Sequence, residues 1–198
     1  MWYFSWILGV LLACSLGIIN VLRLEAQEAL ARENLAIDPL TQLLARESVL
    51  ERLHEKIDNS KRNSMPFSLI YISLTDFKLK HQLADYVMDT TLLEVVASIK
   101  ADIRAGLDIA ARVGEEDFLL ALPGATYEKA EITADKIKQN ILQNVKTPAR
   151  GLAVEVGIGF AEYSHDAEMI SEEVQMGMSE VEALLNIAIG KCFQSITT

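Results

Sequence analysis

The chain has 198 residues and a formal net charge of −10, and its Lys and Arg residues are scattered along the sequence. This acidic balance disfavours nucleic-acid binding and supplies no polybasic patch for anionic lipids. Cys14 and Cys192 stand too far apart to suggest a disulfide framework, and three dispersed histidines add no zinc-like spacing, so we expect no metal site. Roughly 175 residues follow the first apolar run, a length that suits one domain.

The first 22 residues carry no charged side chain and would form a helix about 33 Å long at roughly 1.5 Å per residue. A bilayer core is about 30 Å thick, so this run predicts one transmembrane helix over residues 1–22. Trp2, Tyr3 and Trp6 suit one membrane interface and Arg23 the other, which predicts a cytoplasmic C-terminal side. We expect no signal cleavage, because a basic n-region is missing.

Small residues mark one face of this helix. Gly9, Ala13 and Gly17 recur every four residues, and Asn20 falls on the same face. Small residues allow a second helix to approach closely, and an amide inside the membrane needs a hydrogen-bond partner. The pattern therefore predicts packing against other membrane helices, with a lone anchor or self-association as the alternative.

The same segment resembles the small subunit of cytochrome bd quinol oxidase, the CydX/YbgT family, through MWYFSWILG at residues 1–9 and LLAC at residues 11–14. Members of that family are single helices that pack against large haem-bearing subunits. The resemblance covers residues 1–25 and implies a bacterial inner-membrane location, with the large oxidase subunits as partners. It implies haem b and haem d in those partners and no cofactor bound by this chain itself.

The elements after the apolar run follow from helix formers, caps and periodicity. Residues 23–37 lack Gly and Pro and predict a helical linker. Asp38 as N-cap and Pro39 at the first helical position predict an amphipathic helix that ends near Asn59. Further strands are predicted over residues 67–73, 108–113, 118–122 and 152–161, and further helices over residues 82–105, 127–145 and 171–193. The order is β-α-β-β-α-β with flanking helices, an α+β, ferredoxin-like arrangement.

Four landmarks in this part of the chain resemble those of the GGDEF (diguanylate cyclase) domain. They are DPLTQLLAR at residues 38–46, FK at 77–78, ARVGEEDF at 111–118 and VGIG at 156–159. The resemblance runs over residues 38–193, so we expect residues 38–198 to form a cytoplasmic domain of this type. It implies condensation of two GTP molecules with magnesium held by carboxylates.

Several positions depart from that family's pattern. The two metal-binding Asp residues fall on Ser73 and Thr75, neither of which can replace a carboxylate on a hard cation. The two residues that contact guanine fall on His81 and Thr90. The Lys and Arg that the family directs at the triphosphate are expected to be missing, since the sequence stops at residue 198.

The signature turn is also altered, and its positions are Gly114, Glu115, Glu116, Asp117 and Phe118. Glu115 puts a charged side chain where a second glycine would let phosphates approach the backbone, and Glu116 alone keeps a metal-ligand carboxylate. We interpret residues 115–117 as the solvated tip of a hairpin. A shifted register that recruits Asp76 beside Glu116 is the alternative.

The family's inhibitory site for cyclic di-GMP is an Arg-x-x-Asp just before the turn. Asp108 matches, but Ala105 stands at the Arg position, and Arg104 leaves a helix about 100° away. The resemblance therefore predicts a degenerate inhibitory site at Arg104 and Asp108.

These observations predict an accessory or stabilising subunit of cytochrome bd oxidase that retains no catalytic residue and binds no metal. Its GGDEF-like domain would serve interaction or regulation, with a homodimer as a further expectation. The alternative hypothesis is a stand-alone, membrane-anchored signalling protein with cyclic di-GMP-related binding or interaction.

Overall fold

A computed structural model describes residues 36–75, 77, 84–145, 154–164, 166–175 and 178–197, the side chains of 175 and 197 excepted, together with Tyr3, Ile7, Ile18, Val21 and Arg23. The chain divides into two compact units, Met1–Ile37 and Asp38–Thr198. The predictions made for Trp2, Trp6, Gly9, Ala13, Gly17, Asn20 and residues 24–35 lie outside the described residues.

The first unit is described at few positions. All five described residues up to Arg23 are helical, and the apolar ones, Tyr3, Ile7, Ile18 and Val21, are between 52% and 83% exposed. Within the described part of the chain, no helix has the length and apolar character needed to cross a membrane. The described end of the predicted linker, residues 36–37, forms a bend and a bridge, so the predicted linker helix does not reach residue 37.

The second unit holds a mixed sheet with helices on both faces. Among the described residues the strands are β1 Leu44–Ala45, β2 Phe67–Ser73, β3 Ile109–Arg112, β4 Asp117–Pro123 and β5 Gly157–Glu162. The helices are α1 Arg46–Asn63, α2 Asp85–Asp102, α3 Tyr127–Asn144, α4 Ala167–Gln175 and α5 Glu180–Thr197.

The strand order is β1-β3-β4-β2-β5, with β1 parallel to β3 and every other neighbouring pair antiparallel. All seven residues of β2 are buried, as its mainly apolar sequence predicts for a buried strand, and β2 lies between β4 and β5 in the sheet. The succession β2, α2, β3, β4, α3 and β5 reproduces the predicted β-α-β-β-α-β order.

The core has two layers, one on each face of the sheet. Because successive side chains of a strand point to opposite faces, Ile70 and Ile72 of β2 pack with α2 and α3, whereas Leu69 and Tyr71 pack with α1 and α5. Ile170 of α4 joins the second layer.

The predicted helix start at Asp38 is wrong, since α1 begins at Arg46. The Asp38 carboxylate does accept hydrogen bonds three residues ahead, from the amide of Thr41 at 2.8 Å and its hydroxyl at 2.6 Å. These hydrogen bonds stabilise a turn rather than the first turn of a helix, because Gln42 adopts a positive φ of 55°. The helix also ends later than predicted, at Asn63.

The C-terminal third also differs from its prediction. Strand β5 begins at Gly157, and the described residues 154–156 before it are not in a strand. The predicted helix over residues 171–193 is two helices. The second starts at a capping box, in which the Ser179 amide donates to the Glu182 carboxylate at 3.0 Å and the Glu182 amide donates to the Ser179 hydroxyl at 3.3 Å.

Candidate functional site

The C-terminal end of β2 is where the resemblance places the family's metal ligands. Ser73 is the last residue of β2, lies opposite Asp117 and Gly157 on the flanking strands, and is 6% exposed. Its Oγ accepts the amide hydrogen of Thr75 at 3.4 Å. Thr75 has a positive φ of 52°, and its buried hydroxyl has no hydrogen-bond partner among the described residues. The two positions therefore offer hydroxyl groups and no negative charge.

The turn between β3 and β4 holds this end of β2 through Glu116. The Glu116 carbonyl accepts the amide hydrogen of Leu74 at 3.2 Å, and its carboxylate accepts that of Phe77 at 2.8 Å. The interpretation of residues 115–117 as a solvated tip holds for the exposed Glu115 alone, because Glu116 and Asp117 are half-buried.

Two further signature positions are structural. Asp117 packs over Gly114, where an added Cβ would overlap the Asp117 carboxylate. Phe118 is fully buried in the core layer formed with α2 and α3.

A cleft of about 200 Å³ lies between the start of α2 and this turn. Its described lining residues are Asp85, Met88, Asp89, Leu92, Arg112, Glu115 and Glu116. These side chains carry four carboxylates and one guanidinium, so the described part of the lining has a net negative charge. Such a surface repels an anionic ligand and attracts a cationic one.

Asp85, Asp89 and Arg112 were not among the site residues predicted from the sequence. Asp85 and Asp89 are four residues apart at the start of α2, so they share one face of that helix. This spacing could have indicated that both carboxylates belong to the site, because the predicted helix follows directly on the loop after β2.

The predicted guanine-contacting positions contribute little to this cleft. Thr90 is exposed, is not a lining residue, and donates its hydroxyl to the carbonyl of Tyr86 one turn earlier at 2.9 Å. His81 and Asp76 lie outside the described residues.

Arg112 joins the turn to the beginning of the domain. Its guanidinium donates to both carboxylate oxygens of Asp38, at 3.2 and 3.3 Å, and to the carbonyl oxygens of Gly114 and Glu115, at 3.2 and 2.7 Å. Partial burial raises the pKa of Asp38, but the hydrogen bonds from Thr41 and the charge of Arg112 outweigh it, so that its pKa lies below the usual value.

The predicted degenerate inhibitory site is an internal ion pair. The Arg104 side chain donates to the Asp108 carboxylate at 2.6 and 3.1 Å and to the carbonyl of Pro123 at 3.0 Å. The Asp108 side chain is 3% exposed, and the pair borders a second cavity of about 260 Å³. Two of the three guanidinium nitrogens of Arg104, Nε and Nη2, thus donate within the domain.

The described residues hold no reactive thiolate and no metal cluster. Burial and the negative charge of Asp117 raise the pKa of the Cys192 thiol to about 11, so this cysteine stays neutral at physiological pH. Burial and the same carboxylate raise the pKa of Tyr71. Within the described part of the chain, no group of three or more His, Cys, Asp or Glu side chains could hold a metal ion.

Two family models match the chain. One described as "Diguanylate cyclase, GGDEF domain" matches residues 35–183, and one described as "Membrane bound YbgT-like protein" matches residues 1–27. These matches confirm both resemblances seen in the sequence.

Two curated proteins and one solved structure illustrate the likeness. The bifunctional diguanylate cyclase/cyclic di-GMP phosphodiesterase MucR of Pseudomonas aeruginosa is 30% identical over 165 residues, which are 76% of this chain and 24% of MucR. The diguanylate cyclase DosC of Escherichia coli is 26% identical over 149 residues, 74% of this chain and 32% of DosC. This chain therefore spans about a quarter to a third of the length of these relatives.

The crystal structure of the FimX GGDEF domain from Pseudomonas aeruginosa superposes with a TM-score of 0.67, covering 82% of this chain and 94% of that one. At 16% identity this match speaks for the fold alone.

Proposed function

This chain belongs to the GGDEF, or diguanylate cyclase, domain family, and from that premise we propose that it is a non-catalytic accessory subunit of cytochrome bd quinol oxidase. Its YbgT-like helix packs against the large subunits in the bacterial inner membrane, and those subunits carry the haems. The GGDEF domain stays on the cytoplasmic side and docks to protein rather than making cyclic di-GMP.

The observation that carries the non-catalytic part is the chemistry at the end of β2. Magnesium prefers charged oxygen ligands, and the described residues offer the hydroxyls of Ser73 and Thr75 there. The carboxylate of Glu116 in the signature turn already accepts the amide hydrogen of Phe77 at 2.8 Å. This ligand set does not fit a magnesium ion that must neutralise a triphosphate, so we derive no catalytic step through one.

The charge of the cleft supports the same conclusion. Asp85 and Asp89 on α2 face Glu115 and Glu116 on the turn, and Arg112 is the one cation among the described lining residues. The guanidinium of Arg112 is held by Asp38 and by two backbone carbonyls. A nucleoside triphosphate would therefore meet net repulsion from these described side chains.

The membrane part rests on the N-terminal segment. Residues 1–27 match the YbgT-like model, and the described apolar side chains of that segment are more than half exposed. Exposed apolar side chains on a helix are stable when lipid or another helix covers them. The face that the sequence predicts for Gly9, Ala13, Gly17 and Asn20 is the surface we assign to the oxidase.

The test is co-purification of tagged full-length protein from membranes in mild detergent. We expect haem b and haem d absorbance and the two large oxidase subunits to co-elute. Ala13→Leu should lower the recovered haem on the order of tenfold by blocking close packing. Ser15→Leu adds the same side chain on the opposite side of a regular helix and should leave it unchanged. A haem-free wild-type preparation would contradict the accessory role and favour a stand-alone membrane-anchored module.

A second experiment tests the non-catalytic part by itself. Purified full-length protein is incubated with labelled GTP and magnesium or manganese, and we expect no cyclic di-GMP. A known active cyclase assayed in parallel shows that the conditions support turnover. Product formed by the wild type and lost in Glu116→Gln would overturn this part, whatever the haem measurement gives.

A further inference from the structure

One guanidinium connects the first residue of the domain to the cleft. Asp38 begins the second compact unit, and Arg112 follows it by 74 positions. The Arg112 side chain is 17% exposed and contacts the Asp38 carboxylate with one nitrogen and the carbonyls of Gly114 and Glu115 with the other two. The position of Asp38 and the shape of the turn are therefore set by the same side chain.

The turn is itself bound to the residues that follow β2. Glu116 uses its carbonyl to hold the amide of Leu74 and its carboxylate to hold the amide of Phe77. Leu74 directly follows Ser73, and Phe77 lies three positions further along the segment that leads to α2. Because Glu115 and Glu116 are joined by a peptide bond, the hydrogen bonds made by Arg112 and those made by Glu116 together link Asp38 to the chain beyond β2.

Four hydrogen bonds hold Asp38 in a closed turn, so its carboxylate moves together with the backbone of that turn. Its carboxylate accepts two hydrogen bonds from Thr41, its amide donates to the carbonyl of Leu43 at 2.8 Å, and its carbonyl accepts the amide of Gln42 at 2.9 Å. Thr41 is 2% exposed and Leu43 is 5% exposed, so the turn is anchored in the core. A change at the entrance moves the carboxylate as part of a closed turn rather than as a free side chain.

We propose that the series Asp38, Arg112 and Glu116 is a relay that transmits a displacement of the chain at the domain entrance to the turn that lines the cleft. Contiguous hydrogen-bond networks can carry such coupling, and an arginine can hold three acceptors at once in a fixed geometry. The relay belongs to the domain itself and does not depend on the identity of the membrane partner. It gives the N-terminal segment a route to alter a surface that other molecules can contact.

Hydrogen exchange of the full-length protein in mild detergent tests the relay. Asp38→Asn keeps the size of the side chain and an acceptor for Thr41, but removes the charge that holds Arg112. The amides of Leu74 and Phe77, at the far end of the series, should then exchange at least about tenfold faster. Arg112→Lys should give the same result, because an ammonium cannot hold the carboxylate and both carbonyls together.

Asp108→Asn is the matched control. Asp108 also binds an arginine side chain and a backbone amide, but its partner Arg104 donates to the carbonyl of Pro123 at the end of β4, away from the turn. We expect it to leave the exchange of Leu74 and Phe77 unchanged relative to the amides of β2. Unchanged exchange at both residues in Asp38→Asn would overturn the relay. So would an equal acceleration throughout β2, because that would show a loss of global stability.

Discussion

Gly159 of the edge strand β5 lies directly against the backbone of Cys192 on α5. A Cβ on residue 159 would overlap the amide nitrogen of Cys192 and the carbonyl oxygen of Ala188, neither of which can rotate away. This close approach brings α5 onto the sheet and leaves Cys192 fully buried.

Gly159→Ala should therefore lower the free energy of unfolding by about 3 kcal/mol or more, because overpacking against backbone cannot relax through a side-chain rotation. Urea unfolding of the full-length protein measures the change. Gly190→Ala on the same helix is the control. An added Cβ there has no neighbour within 4 Å, so alanine should raise stability by roughly 0.5–1 kcal/mol. Equal effects of the two substitutions would mean that α5 does not rest on Gly159.

The ion pair of Lys191 and Asp166 should contribute far more than a surface pair. The two groups are 2.9 Å apart, and the Asp166 side chain is 7% exposed and also accepts the amide of Glu162. Lys191→Met leaves this carboxylate buried without its cation, so we expect a loss of about 3 kcal/mol.

The matched control for that change is Lys61→Met. The side chains of Lys61 and its partner Glu180 are 35% and 36% exposed, so this substitution should cost less than about 1 kcal/mol. Both are measured by urea unfolding. A loss for Lys191→Met no larger than that for Lys61→Met would contradict the assignment of a buried pair.

Much of the sequence of strands and helices in the domain was predicted from local residue patterns. The mainly apolar residues of β2 predicted a buried strand, and the polar residues 114–117 between two apolar runs predicted the hairpin of β3 and β4. These predictions succeeded because burial on both faces and a turn leave a signal in adjacent residues. The capping box at Ser179 and Glu182 is a local signal of the same kind, although it was not used to predict the start of α5.

The features that were not predicted depend on contacts between residues far apart in the sequence. Asp38 followed by proline is typical of a helix start. In the structure, however, Arg112, 74 positions away, binds the Asp38 carboxylate, and the positive φ of Gln42 closes a turn in place of a helix. Pairing across such a distance leaves no local pattern. The cleft is similar, because Asp85 and Glu116 come from elements that only the sheet topology brings together.

Stability should depend on pH through Asp38. In the folded protein its pKa lies below the ordinary value of an aspartate, because partial burial, which raises it, is outweighed by the hydrogen bonds from Thr41 and the charge of Arg112. A carboxyl group with a lowered folded-state pKa stabilises the protein above its unfolded-state pKa, and that contribution disappears as the pH falls through the folded-state pKa. The difference in unfolding free energy between wild type and Asp38→Asn should thus be constant above about pH 5 and shrink below about pH 4. Urea unfolding across this range measures it, and a difference independent of pH would refute the ion pair.

Restoring two carboxylates should create a metal dependence that the wild type does not have. In Ser73→Asp/Thr75→Asp, three carboxylates would meet at the end of β2 once Glu116 is counted. Ser73 is 6% exposed, so the new charges should destabilise the metal-free protein. Manganese should then recover stability, by about 2.7 kcal/mol at a concentration of 100 times the dissociation constant.

The uncharged control is Ser73→Asn/Thr75→Asn, which has nearly the same shape and should show no recovery with manganese. Thermal unfolding with and without the metal, with chelator as the reference, distinguishes the three proteins. We expect the midpoint of the wild type to stay the same in both conditions, because hydroxyls bind a hard cation weakly. If manganese stabilised the wild type as strongly as the double aspartate variant, residues 73–77 would already hold a metal ion. The non-catalytic assignment would then lose the observation on which it rests.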